Sequence, residues 1–184
     1  MSLLDEVTQA NHHFITHLPS SFSAINKLPQ RKLAIITCMD TRLVDFLEPA
    51  LGIGRGEAKI IKTAGNSVTD EFDDIIRSLL VCIYELGVEE IMVIGHHACG
   101  MAHATSDELI DAMLARGIAQ QDIDKVKAKL TAWVDEFHDP ELNVVHTVNN
   151  IKNNPLIAKN IPVHGLIFHP DNGEVDVLVN GYEK

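Results

Sequence analysis

Cys38-Met39-Asp40-Thr41-Arg42 and His96-His97-Ala98-Cys99 carry the residue types most able to do chemistry in this chain. Two thiolates and one imidazole can hold a zinc ion and leave one coordination position for water. Three protein ligands with an open fourth position mark catalytic rather than structural zinc. His-x-x-Cys alone is a weak signal, and Cys38 at the end of a second apolar run strengthens it. Read without a metal, Cys38 and Cys99 are small buried apolar residues, but that reading leaves Asp40 and Arg42 unexplained. An arginine beside an aspartate keeps the carboxylate ionised and orients it. Such a carboxylate can accept a hydrogen bond from a water at the metal. It can also become the fourth ligand itself if the arginine lets go.

These segments must be positioned by a sheet. Leu33–Cys38, Ala58–Thr63 and Glu90–His96 read as strands. Near-continuous apolar strands point to a parallel sheet covered on both faces, and ligands gather at the carboxyl ends of such strands. Cys38 and His96 each end a strand, with Cys99 in the loop or turn that follows. Thr69 is the expected N-cap of a helix with Asp70, Glu71, Asp73 and Asp74 in its first turn. Its apolar stripe is Phe72, Ile75, Ile76, Leu79, Leu80, Ile83 and Leu86, and Gly87 is its left-handed end. Residues 106–115, 121–137 and 141–153 also read as helices. Gly165–His169, a Pro-Asp-Asn-Gly turn and Glu174–Val179 form a terminal hairpin. The expected fold is α/β: a mainly parallel central sheet flanked by helices, in a single domain over 1–184. Residues 3–18 read as an amphipathic helix ended by Pro19 and the serines after it. This arm, within residues 1–30, needs a cover for its apolar face, and a second subunit would supply one.

The composition narrows the function. The 184 residues carry a formal net charge of −11 and no basic run, which argues against a nucleic-acid partner. No apolar run reaches the length of a membrane span, so no membrane partner is expected. Three cysteines and an N-terminus without a basic leader predict a reducing, cytoplasmic setting rather than a disulfide scaffold.

Cys38-x-Asp40-x-Arg42 and His96-x-x-Cys99 resemble the two zinc motifs of β-class carbonic anhydrases. Leu51–Ala58 and Ile60–Asn66 resemble the stretch that joins those motifs, although Lys62-Thr63-Ala64-Gly65 stands where Arg-Asn-Ala-Gly is usual. The likeness runs from about Leu33 to Met101, more loosely to the hairpin, and looks like the compact branch of the family. The resemblance implies zinc-dependent hydration of carbon dioxide to bicarbonate on a homodimer or a dimer of dimers. Cys38, His96 and Cys99 would be the metal ligands and Asp40 with Arg42 the catalytic dyad. Asp40 would be the fourth ligand in a closed state. Backbone amides near Ala64, Gly65 and Gly100 are candidate contacts to bicarbonate.

His103, four residues after Cys99, is a candidate proton shuttle if the segment is helical. His97 reads as packing, His13 and His17 as exposed histidines one helical turn apart, and Cys82 as core. Alternatives are hydrolysis of carbonyl sulfide or carbon disulfide on the same scaffold, a non-catalytic zinc or bicarbonate sensor, and a redox thiol protein. Turnover, bound metal and disulfide formation separate them.

Overall fold

The computed structural model describes residues 1–18, 22 and 24–183. The expected stop at Pro19 and the following serines lies mostly outside the described residues. Five strands form one sheet: β1 (Leu33–Cys38), β2 (Ala58–Thr63), β3 (Glu90–His96), β4 (Val163–Phe168) and β5 (Val175–Val179). Their order is β2-β1-β3-β4-β5. The first four run parallel, and β5 pairs antiparallel with β4 through the expected turn. β1, β4 and most of β3 are buried, as their apolar sequences require.

From β1 the chain passes to β2 on one side, and β3 lies on the other. The β1/β3 seam is therefore the switch point of the sheet, where the loops leaving the carboxyl ends diverge and a crevice opens. Both ligand-bearing strands end at that seam.

Helices α1 (Leu3–Thr16), α2 (Leu47–Ala50), α3 (Asp74–Tyr84), α4 (Ser106–Ala115), α5 (Gln120–Asp124), α6 (Lys127–Val134) and α7 (Pro140–Asn153) complete the chain. Ala34, Ile36, Val93, Ile76, Leu79, Val144, Val148 and Ile151 build one apolar cluster. Leu33, Ile35, Leu43, Leu47, Ile94, Phe137 and Phe168 build the other, which contains Cys38 and Cys99. Cys82 packs in the first cluster, as expected.

Two helix expectations are corrected. α3 is capped by Asp73, not Thr69. The Asp73 carboxylate accepts the Ile76 N–H at 2.9 Å and also the Thr69 N–H at 2.8 Å, closing residues 69–73 into a loop. A carboxylate at the cap also meets the helix dipole with a full charge. Phe72 then falls before the helix and is exposed. The segment 121–137 is two helices, broken at Lys125 and Val126, because Ile123 and Val134 are buried while Val126 is exposed. Gly87 does end the α3 turn with φ +68°.

α7 lies unusually close to the sheet, and glycine permits it. A Cβ on Gly95 would stand 2.6 Å from Val144 Cγ2, and one on Gly165 would stand 2.9 Å from Val144 Cγ1. Gly95→Ala is expected to lose about 1–3 kcal/mol of stability through overpacking. A denaturant midpoint equal to the wild type would contradict this contact.

Candidate metal centre

β1 and β3 pair in parallel, so their carboxyl ends carry Cys38 and His96 to one place. After His96 the chain turns through Ala98, which takes φ +52°, and returns Cys99 toward Cys38. Cys38 Sγ, a ring nitrogen of His96 and Cys99 Sγ lie within 4.8 Å of one another, all buried. The sulfurs are 3.9 Å apart, far beyond a disulfide bond. Two zinc–thiolate bonds of about 2.3 Å at a tetrahedral angle would set two sulfurs about 3.8 Å apart.

The histidine supplies a stricter test of fit. His96 Nδ1 lies 3.0 Å from the His97 carbonyl oxygen, which can only accept, so Nδ1 carries the proton. Nε2 is then the atom with the free lone pair in the neutral ring, and it is buried without a hydrogen-bond partner. A buried orphan nitrogen is costly. Facing two thiols, it is the donor atom a soft dication would use.

The electrostatics agree. A hydrogen bond from Cys99 drives the Cys38 thiol well below its ordinary pKa; the ring of His96 and the N–H groups of Gly65 and Asp40 add to this against the cost of burial. Cys99 is pushed up, chiefly by the same bond and by burial. Alone, the pair carries one negative charge; a second thiolate needs a cation beside it. Burial works against a charged His96 ring, but the neighbouring Cys38 sulfur and the His97 carbonyl outweigh it and raise its pKa.

Asp40 stands at the edge of this cluster, with Oδ2 3.8 Å from His96 Nε2. Arg42 grips it with a fork: Nε to Oδ1 at 3.0 Å and Nη2 to Oδ2 at 2.8 Å, while the Arg42 backbone N–H donates to Oδ1 at 2.9 Å. These bonds, led by the arginine side chain, hold the Asp40 pKa down at about 2. Arg42 Nη2 also donates to the Ala98 carbonyl at 2.8 Å. One guanidinium thus joins the β1 motif to the β3 motif.

The remaining candidates fall differently. Gly65, with φ +70°, belongs to a 3-10 turn over Ala64–Asn66. Its carbonyl accepts from Asn143 Nδ2 at 2.8 Å, and the Ser67 hydroxyl, which donates to Asn143 Oδ1 at 2.8 Å, lies 3.3 Å from the same carbonyl. Ala64 is half-buried, and Gly100 is exposed with open space beside its Cα. His103 is exposed at the end of a 3-10 turn, Gly100–His103. The α-helical spacing that would align it with Cys99 is therefore absent, because three residues complete such a turn. His97 is half-buried with its ring 5.4 Å from His169, and His13 stacks on His17 at 4.3 Å on α1. Sequence reasoning missed Ser67 and Asn143, which brace the Gly65 turn. No motif announces a bond between residues this far apart in the chain.

The sequence profile of the carbonic anhydrase family matches residues 33–175. The crystal structure of β-carbonic anhydrase isoform I from Trichomonas vaginalis superposes with a TM-score of 0.96 at 52% identity, covering 99% of this chain and 100% of that one. YvdA of Bacillus subtilis strain 168, a protein named only provisionally as a carbonic anhydrase, is 40% identical over 100% of this chain and 94% of its own length. A carbon disulfide hydrolase from Acidithiobacillus thiooxidans is 34% identical over 79% of this chain and 76% of its own length. The paired motifs, the sheet that joins them, the family profile and the two full-length likenesses place the chain in the β-class carbonic anhydrase family.

Proposed function

We propose that this chain is a carbonate dehydratase, a zinc enzyme that hydrates carbon dioxide reversibly to bicarbonate and a proton. The observation that carries the proposal is the buried Cys38–His96–Cys99 triad with an arginine-held carboxylate at its rim. These three residues would hold Zn²⁺, and zinc bound there supplies a Lewis acid that acidifies water. Asp40 accepts the hydrogen bond of the reacting water and so aims its lone pair at the carbon of CO₂. Arg42 keeps that carboxylate ionised and fixed, because its fork occupies both oxygens. The same fork holds Asp40 back from the donor triad, which supports a water-accessible resting state over a carboxylate-closed one. The amides of Ala64, Gly65 and Gly100 are the candidates to meet the bicarbonate oxygens. His103, being exposed, is suited to pass the product proton to buffer.

We read residues 1–184 as one domain working as a homodimer or dimer of dimers in a reducing, cytoplasmic compartment. The three cysteines are free, in keeping with that compartment. Among the described residues no helix is long and apolar enough to cross a membrane. α1 buries none of its residues, although Leu4 is 71% and Ile15 59% exposed. Each such side chain gains about 1.5–3 kcal/mol on full burial. Leu4→Glu with Ile15→Glu is expected to weaken self-association about 100-fold or more, read as a shift toward monomer in light scattering. An unchanged mass would remove α1 from the interface.

The deciding experiment pairs metal analysis with stopped-flow CO₂ hydration and a parallel assay with carbon disulfide. About one zinc per chain with CO₂ turnover supports the proposal. Zinc with turnover of carbon disulfide alone assigns the sulfur substrate. Zinc with neither leaves a binding protein, and protein without metal that cannot be loaded overturns the zinc reading.

A further inference from the structure

Two asparagines on α7 and a third, Asn154, at its C-terminal cap face the segment that follows β2. Asn143 Nδ2 donates to the Gly65 carbonyl at 2.8 Å, Asn150 Nδ2 to the Val68 carbonyl at 3.1 Å, and Asn154 Nδ2 to the Glu71 carbonyl at 2.8 Å. A spacing of seven places Asn143 and Asn150 on one helix face, and Asn154 follows where the helix ends. They tie an irregular stretch of backbone, residue by residue, to a helix already pressed against Gly95 and Gly165.

The first tie differs from the other two. Gly65 lies in the turn directly after Thr63, the residue that pairs with Cys38 at the end of the β1/β2 ladder, where the Met39 N–H donates to the Thr63 carbonyl at 2.9 Å. Its left-handed backbone is fixed from one side by Asn143. It is packed from the other by Phe137 and Met101, which a Cβ there would meet at 2.8 and 3.3 Å. The Asn143 amide is itself oriented: the Ser67 hydroxyl donates to Oδ1 at 2.8 Å, which leaves Nδ2 for the carbonyl. Supports that fix the backbone around a ligand set the ligand's direction and so tune metal affinity. We propose that Asn143 is a positioning residue for the metal centre, acting through the Gly65 turn on the placement of Cys38, whereas Asn150 and Asn154 only anchor the segment. The proposal rests on the metal reading above.

The test compares Asn143→Leu, Asn150→Leu and Ser67→Ala with the wild-type chain, each loaded with zinc and, separately, with cobalt(II). The readouts are zinc Kd by chelator competition, the thiolate-to-cobalt charge-transfer band, and Tm. Asn143→Leu is expected to weaken zinc binding about 10-fold or more and to move the band. Ser67→Ala, a smaller change that removes the hydroxyl beside Asn143 Oδ1 and the Gly65 carbonyl but leaves the amide in place, moves both in the same direction by less. Asn150→Leu lowers Tm yet leaves Kd and band unmoved. Asn143→Leu and Ser67→Ala proteins with wild-type Kd and band overturn the proposal while leaving the metal reading intact. So does an Asn150→Leu protein that shifts both as far as Asn143→Leu does. If Asn143→Leu does not fold, Ser67→Ala decides alone by the same two readouts. Wild-type protein that takes up neither metal overturns both readings together.

Discussion

Cys38→Ser is expected to strip the protein of metal and to reduce CO₂ hydration to the uncatalysed background. Serine is a far weaker ligand for zinc than a thiolate. The position also demands a thiolate for electrostatic reasons. Its surroundings hold the charge on Cys38 by a bond from Cys99, the His96 ring and two backbone N–H groups. A serine hydroxyl does not ionise there, so the negative end of the site is lost. Zinc content should fall from about one per chain to near zero, and turnover by about 10³-fold or more. Folding should persist, since Cys38 sits at the strand end and the sheet ladder beyond it is backbone. Elemental analysis with stopped-flow kinetics and a circular dichroism melt checks all three. A zinc-replete, active Cys38→Ser protein would falsify the assignment of the triad.

Asp40→Asn tests the carboxylate apart from the metal. The side chain keeps its size and can still accept from Arg42 through one oxygen. It replaces the other acceptor with an NH₂ facing a guanidinium that can only donate. Zinc content should stay at the wild-type level, because Asp40 is outside the donor triad. The value of kcat/KM should fall about 10²-fold or more, the range over which positioned proton acceptors contribute. The pH profile gives an independent check. The Asp40 pKa lies at about 2, held down first by the Arg42 side chain. A depressed carboxylate contributes its pairing fully above the unfolded value of about 4 and loses it as pH falls through about 2. Between pH 5 and 9 Asp40 is therefore ionised throughout, and any titration of activity in that window must belong to another group. Wild-type activity in Asp40→Asn would take the carboxylate out of the reaction.

The parts of the site legible in the sequence are those fixed by short-range rules. Apolar runs ending in Cys38 and His96 announce strands, and strand ends in a parallel sheet announce a shared edge. Asp40 and Arg42 are two residues apart, so their pairing needs only a local turn. What escaped the reading depends on contacts between distant segments. Asn143 reaches Gly65 across 78 residues, and only the packing of α7 on glycine-lined strands brings them together. The cap of α3 went to Asp73 because its second carboxylate oxygen closes a loop onto Thr69, a competition that residue preferences cannot rank. The helical placement of His103 failed on one tight turn: Gly100–His103 winds as a 3-10 segment, which shifts every side chain after Cys99 around the axis.

The Arg42 bridge from Asp40 to the Ala98 carbonyl makes one side chain answerable for two parts of the site. On one side it fixes the carboxylate, and on the other it holds the left-handed turn at Ala98 that returns Cys99 toward Cys38. A lysine there keeps the charge but loses the planar fork, so it cannot serve both ends at once. Position 42 therefore demands arginine for its shape as much as for its charge.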